Sequence, residues 1–152
     1  MAKISENQVC GYKKINIGCG IDIIEEYINI DSQNYGQEIN RDIERGLPFC
    51  SNSCIKIKAH SILEHIEKLQ FVLNECHRVL KPEGILDMVV PNWQNEGAFR
   101  DPTHCRFFDE HTIDYLRGAK PYGYGFKVWN VIKTFHRPNT KETLHWHLSP
   151  KK

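Results

Sequence analysis

Between Lys14 and Asp31 the chain reads KINIGCGIDIIEEYINID, two Ile-rich runs joined across a Gly-Cys-Gly turn. Lys14 to Gly18 and Tyr27 to Asp31 are expected as short strands, with only nine residues, 18 to 26, to connect them. A parallel crossover ordinarily takes a dozen residues or more. The connecting helix is therefore expected to be vestigial, one turn around Ile23 to Glu26, and the sheet must be built around that shortage.

The rest of the chain supplies the sheet. Glu38 to Asp42 reads as a third short strand, and LPFCSNSC, residues 47 to 54, as a turn. Ile55, Ile57 and Ala59 alternate with Lys56 and Lys58, the period of a strand with one exposed face. Ile62, Ile66, Leu69, Leu73, Cys76 and Leu80 then fall at spacings of four and three, one stripe of a helix. Ser61 with Glu64 three positions on fits a capping box, so the helix begins at Ser61 or breaks near Ile66 and restarts. Lys81-Pro82-Glu83-Gly84 ends it, and Ile85 to Val90 is an apolar run of the kind buried in a parallel sheet.

Beyond Pro91 a long polar and aromatic loop leads to a short helix opening at Asp109 or Glu110 and running to Arg117. GFKVWNVIKTFHR and TLHWHLSP alternate as two strands across a turn at Pro138-Asn139. Strands alternating with helices imply an α/β fold. We expect a Rossmann-like, mostly parallel sheet with helices on both faces, an antiparallel C-terminal strand pair and a shortened first crossover, in a single domain spanning 1–152.

Charge narrows the partners. Twenty Lys and Arg against nineteen Asp and Glu leave a net charge of +1, which argues against nucleic acid and for a small-molecule or protein partner. No run approaches the roughly 20 apolar residues of a membrane span, and MAKISENQVC lacks the order of a signal peptide, so a cytoplasmic location is expected. Cys10, Cys19, Cys50, Cys54, Cys76 and Cys105 are scattered through an apolar-rich chain and are expected as free thiols.

In an open parallel sheet, ligands sit beyond the carboxyl ends of the strands, and the loop after the first strand cradles them. Gly18 and Gly20 let backbone approach a ligand closely, and Asp31 ends the second strand where an acid accepts from a ribose diol. A dinucleotide site needs GxGxxG opening a full helix toward a pyrophosphate, but position 23 is Ile. The turn suits a nucleoside without phosphates.

INIGCG, YINID, LPF followed by ILEH, ECHRVLKPEGIL and VPN together resemble the successive motifs of class I S-adenosylmethionine-dependent methyltransferases. The likeness covers residues 14 to about 117 and extends, through the DPTH loop at 101 to 104, to small predicted methyltransferases of cell-surface glycan gene clusters. The resemblance implies S-adenosyl-L-methionine as cofactor. Gly18, Cys19 and Gly20 would lie along its methionine part, Asp31 would hold the ribose hydroxyls and Asp42 the adenine amino group, while Ala59 and His60 would border the sulfonium. Three departures stand out: Asp22 replaces a third glycine, the first crossover helix is nearly lost, and Ile55 and His60-Ser61 replace the usual aspartate and Ser-His.

An acceptor that carries a proton at neutral pH needs a general base. His60 and His104 are the candidate catalytic residues, with Asp101 orienting His104 or closing its loop. For each there is a plainer reading: His60 hydrogen-bonding a strand end, and Asp101-Pro102-Thr103 forming a capped turn. Capping accounts for Glu64, beside His65. His145 and His147 share a strand face, but no nearby Cys or acid in the sequence completes a four-ligand set, and no metal is assigned. Trp93, Phe99, Phe107, Phe108, Tyr122 and Tyr124 either cover an acceptor or pack against the core or a second copy in a homodimer.

The expected function is methyl transfer to an O or N atom of a small molecule or glycan intermediate. The alternatives are a non-catalytic S-adenosylmethionine-binding regulatory or partner subunit and a methyltransferase of protein or RNA.

Overall fold

Seven strand segments pair into a single sheet. The computed structural model describes residues 11, 13–119, 124–135 and 142–152. Its strands are β1 (Lys13–Ile17), β2 (Ile28–Asp31), β3 (Ile39–Asn40), β4 (Cys54–His60), β5 (Leu80–Pro91), β6 (Trp129–Phe135) and β7 (Thr143–Pro150), in the order β3-β2-β1-β4-β5-β7-β6. The first five are parallel to one another, and β7 pairs antiparallel with β5 and β6. The expected turn at Pro138-Asn139, Tyr122 and Cys10 lie outside the described residues. No helix among the described residues is long and apolar enough to cross a membrane.

Register sorts the residues onto two faces. Ile15, Ile57, Leu86 and Leu148 are laterally paired across β1, β4, β5 and β7, each with no exposed surface. Helix α1 (Leu69–Val79) adds Val72, Leu73, Cys76 and Val79 to the core these residues form, and Ile113 and Leu116 of the short α2 (Ile113–Leu116) join it. One residue along, Asn29, Asn16, Lys58, Asp87 and His147 pair in the same way and point to the other side. This second row is polar from β2 to β7.

The crossover between β1 and β2 has no helix, not even the single turn expected at Ile23 to Glu26. Two buried asparagines organise it instead. Asn16 Nδ2 donates to the Asp22 carbonyl at 2.9 Å and to Asn29 Oδ1 at 3.1 Å, and Asn29 Oδ1 also accepts from the Ile24 N–H. Asn29 Nδ2 in turn donates to the carbonyls of Ile24 and Tyr27 and to Glu38 Oε2. Side-chain amides thus satisfy backbone groups that a helix would have satisfied internally.

The helix of the crossover from β4 to β5 begins later than the capping pattern implies. Ser61 has φ +51°, a left-handed conformation that starts no helix, and Leu63–His65 forms an isolated 3₁₀ turn with no side-chain cap. Helix α1 starts only at Leu69, so the break near Ile66 is real and the capping box is not. Glu64, freed of that role, is buried. Cys19, Cys54, Cys76 and Cys105 are free, but Cys50 is disulfide-bonded, against the expectation of free thiols throughout.

Candidate active site at the carboxyl edge of the sheet

The parallel strands β1, β2 and β4 end at Ile17, Asp31 and His60, and the loops that follow them meet. Gly18 and Gly20 both adopt positive φ, +61° and +50°, where glycine is unstrained. They differ in what they face. A Cβ on Gly18 would lie 2.3 Å from Cγ1 of Ile62, so this glycine lets the loop after β4 close over the turn. A Cβ on Gly20 would meet nothing within 4 Å.

Asp31 ties the two strand ends together. Its Oδ2 accepts from the Gly20 N–H at 2.9 Å and its Oδ1 from the Gln33 N–H at 2.9 Å. A carboxylate has about four acceptor positions, so each oxygen keeps one for a ligand. Open space at Gly20, a half-used acid beside it and the exposed Ile21 offer a diol acceptor and apolar contact, which fit a nucleoside. With no helix opening from the turn, nothing here favours a pyrophosphate. The Cys19 thiol is pushed up to about 11, by burial first and by Asp31 next, so it remains protonated and unreactive.

Other expected cofactor contacts are engaged elsewhere. Asp42 Oδ1 caps the 3₁₀ turn Ile43–Arg45 by accepting from the Glu44 N–H, and Oδ2 lies 3.6 Å from Arg45. The Ala59 side chain is sealed in the core, so it lines no pocket. His60 turns onto the polar face, where its Nε2 lies 3.0 Å from Asp87 Oδ1. Asp22, at the position of the missing glycine, is ion-paired with Lys58 of β4.

The second part of the site is the docking of residues 101–104 on the 3₁₀ turn 63–65. Cys105 and Arg106 both donate their N–H to the Glu64 carbonyl, which holds the loop down. Asp101 Oδ1 accepts from the Thr103 N–H and from its hydroxyl, at 2.8 and 2.6 Å. The hydroxyl proton is thereby used, so Thr103 Oγ1 accepts from His65 Nδ1–H at 2.8 Å. His65 consequently keeps its lone pair on Nε2. His104 carries the same tautomer, because its Nδ1 donates to the Ala98 carbonyl at 2.8 Å. The two rings meet edge to face, with centroids 4.6 Å apart.

Glu64 completes this group. One of its carboxylate oxygens, Oε2, is buried without a hydrogen-bond partner among the described residues. A Glu64 carboxylate oxygen and one ring nitrogen each of His65 and His104 lie within 4.8 Å of one another. Burial pushes the Glu64 carboxyl up. Burial, and then the neighbouring His104, pushes His65 down, which keeps its ring neutral at pH 7. Hydrogen bonds from Thr103 hold the Asp101 carboxyl below its usual range.

Of the two histidines expected to share the chemistry, His104 lies in this group and His60 in another. The sequence reading missed His65, whose partners are 38 residues away. The aromatic set divides as well: Phe108 is core, while Phe99 and Phe107 are exposed and stacked at 4.6 Å. Just past β5 a cavity of about 250 Å³ is lined by Asn92, Trp93, Gln94, Asp109, Glu110 and His111.

Residues 9–88, just over half of the chain, match the family model of the methyltransferase domain. Among curated proteins none matches in sequence. In fold, the chain is similar to the YcgJ protein of Bacillus subtilis, with a TM-score of 0.66 at 13% identity over 97% of this chain and 95% of that one. A SAM-dependent methyltransferase from Aquifex aeolicus gives a TM-score of 0.66 at 15% identity, covering 96% and 86%. The [4+2]-cyclase SpnF gives 0.65 at 14%, covering 93% and 76%.

Proposed function

The chain belongs to the methyltransferase-domain family, whose methyl donor is S-adenosylmethionine, and on that premise we propose that it methylates an oxygen or nitrogen atom of a small molecule or glycan intermediate. The donor would sit against Gly20, with its ribose hydroxyls on the free positions of Asp31. Bound there, it supplies a methyl group on a positively charged sulfur, which is displaced by a nucleophile in line.

The observation that carries the reading is the relay from Asp101 through the Thr103 hydroxyl to His65 Nδ1. It leaves the lone pair on Nε2, the arrangement in which an orienting group fixes the tautomer of a general base. His65 is the base in this proposal, and Asp101, Thr103 and His104 position it. When His65 takes the acceptor's proton, the imidazolium forms beside the Glu64 carboxylate, which stabilises it. The near-zero net charge makes a small acceptor a better fit than RNA.

The test is release of S-adenosylhomocysteine by the full chain across a panel of sugar, phenol and amine acceptors. His65→Ala should reduce kcat by roughly 10²–10³-fold while leaving S-adenosylmethionine affinity unchanged. Undiminished turnover in that variant would remove His65 from the role. Tight cofactor binding with no turnover across the panel would favour a non-catalytic partner subunit.

A further inference from the structure

The polar face of the sheet gathers a second cluster, apart from the residues of the proposed reaction. Asp87 sits in the middle of β5, directly opposite Lys58 on one side and His147 on the other. His60 and His145 are both paired with Val89, two residues along the same face, so both reach Asp87 diagonally. Three imidazoles from two flanking strands therefore surround one carboxylate.

Their approach is specific in its atoms. Nε2 of His145, His60 and His147 lies 2.7, 3.0 and 3.4 Å from the same oxygen, Asp87 Oδ1. The other oxygen, Oδ2, is 3.2 Å from Lys56 Nζ. One carboxylate oxygen has two lone-pair positions, so hydrogen bonding accounts for two of the three rings and not the third. A tetrahedral cation with ligands at about 2.0–2.1 Å would separate its ligand atoms by about 3.3 Å; those of His60, Asp87 and His145 lie within 4.8 Å of one another, and His147 approaches them on the side of Asp87 Oδ1.

We propose that His60, Asp87 and His145 form a binding site for a divalent transition metal, of which zinc fits best, and that His147, now 3.4 Å from Asp87 Oδ1, moves in as the fourth ligand when the metal binds. A set of three imidazole nitrogens and one carboxylate oxygen suits zinc and disfavours calcium and magnesium, which take oxygen ligands. Lys56 occupies Oδ2, so Asp87 coordinates through Oδ1 alone. Phe135 of β6 stacks on His145 with centroids at 4.2 Å and meets His147 edge-on at 4.6 Å. With four protein ligands the site is closed, and its role is structural: it joins β4 and β5 to the antiparallel β7. His145 and His147 alone looked incidental in the sequence because the acid and third histidine lie 58 and 85 residues before His145.

The full chain, stripped with chelator and dialysed, would be titrated with Zn²⁺ by calorimetry, and with Co²⁺ for its visible absorption. The site predicts one equivalent bound, an intense tetrahedral Co²⁺ band, a raised Tm that chelator reverses, and affinity lower by about 100-fold in a His145→Ala, His147→Ala double variant. Equal binding by wild type and double variant, or a weak octahedral Co²⁺ spectrum, would overturn it. Both replaced side chains are part-exposed, at 29% and 26%. Should the double variant misfold, His147→Gln and the wild-type stoichiometry decide: other than one equivalent, or unchanged affinity in His147→Gln, rejects the site.

Discussion

Ile15, Ile57, Leu86 and Leu148 cross one face of the sheet on the same strands that carry Asn16, Lys58, Asp87 and His147 across the other. The apolar row is the core, closed by α1, and is held by burial that depends little on direction. The polar row is held by hydrogen bonds and ion pairs, each tied to one atom of one partner. The comparison shows how a chain this short can keep a seven-stranded sheet. Where the first crossover is too short for a helix, Asn16 and Asn29 satisfy the backbone in its place, and further along the same face side chains are left to converge on Asp87.

The apolar side of the comparison should break first. Leu86→Ala, at a position with no exposed surface, should cost about 2–5 kcal/mol in urea denaturation. A loss below 1 kcal/mol would mean that this face is not where the stability resides. On the polar face, Asn29→Ala strands the Ile24 N–H and the carbonyls of Ile24 and Tyr27, and should cost about 1–3 kcal/mol. Were it neutral, the asparagine pair would not be what replaces the helix.

The smallest effect has the opposite sign and depends on pH. Burial raises the Glu64 carboxyl, so its charge opposes folding. Below the ordinary glutamate value of about 4.3 the group is mostly neutral in both states and contributes little. As pH rises past that value the unfolded chain ionises first, and stability falls until the folded value has also been passed. Glu64→Gln should therefore match wild type at pH 4 and exceed it by about 1 kcal/mol at pH 7, while turning over more slowly. Equal Tm at both pH values would mean that the carboxylate has found a partner.

Much of the sheet was legible because its signals are local. The alternation in β4, the stripe of α1, the glycine turn and Asp31 all lie within short windows of sequence. The misreadings share a different cause. Ser61 and Glu64 satisfy a capping pattern that the left-handed Ser61 backbone cancels, and that backbone is set by how the loop closes over Gly18. His65 depends on Thr103, and His60 on Asp87, through pairings that only the assembled sheet and loops create. One local signal was available: Asp87 is a lone acid among the apolar residues of ILDMVV, and a charge in a buried strand calls for partners.

The turn after β1 and the acid ending β2 are read as one nucleoside site. Calorimetric titration of the full chain with S-adenosylhomocysteine, wild type against Asp31→Ala, tests it most directly. The account predicts saturable binding of one equivalent, weakened by about 1–3 kcal/mol in the variant as the ribose hydroxyls lose their acceptor. Equal affinity in the two proteins, or no binding by the wild type, would contradict it.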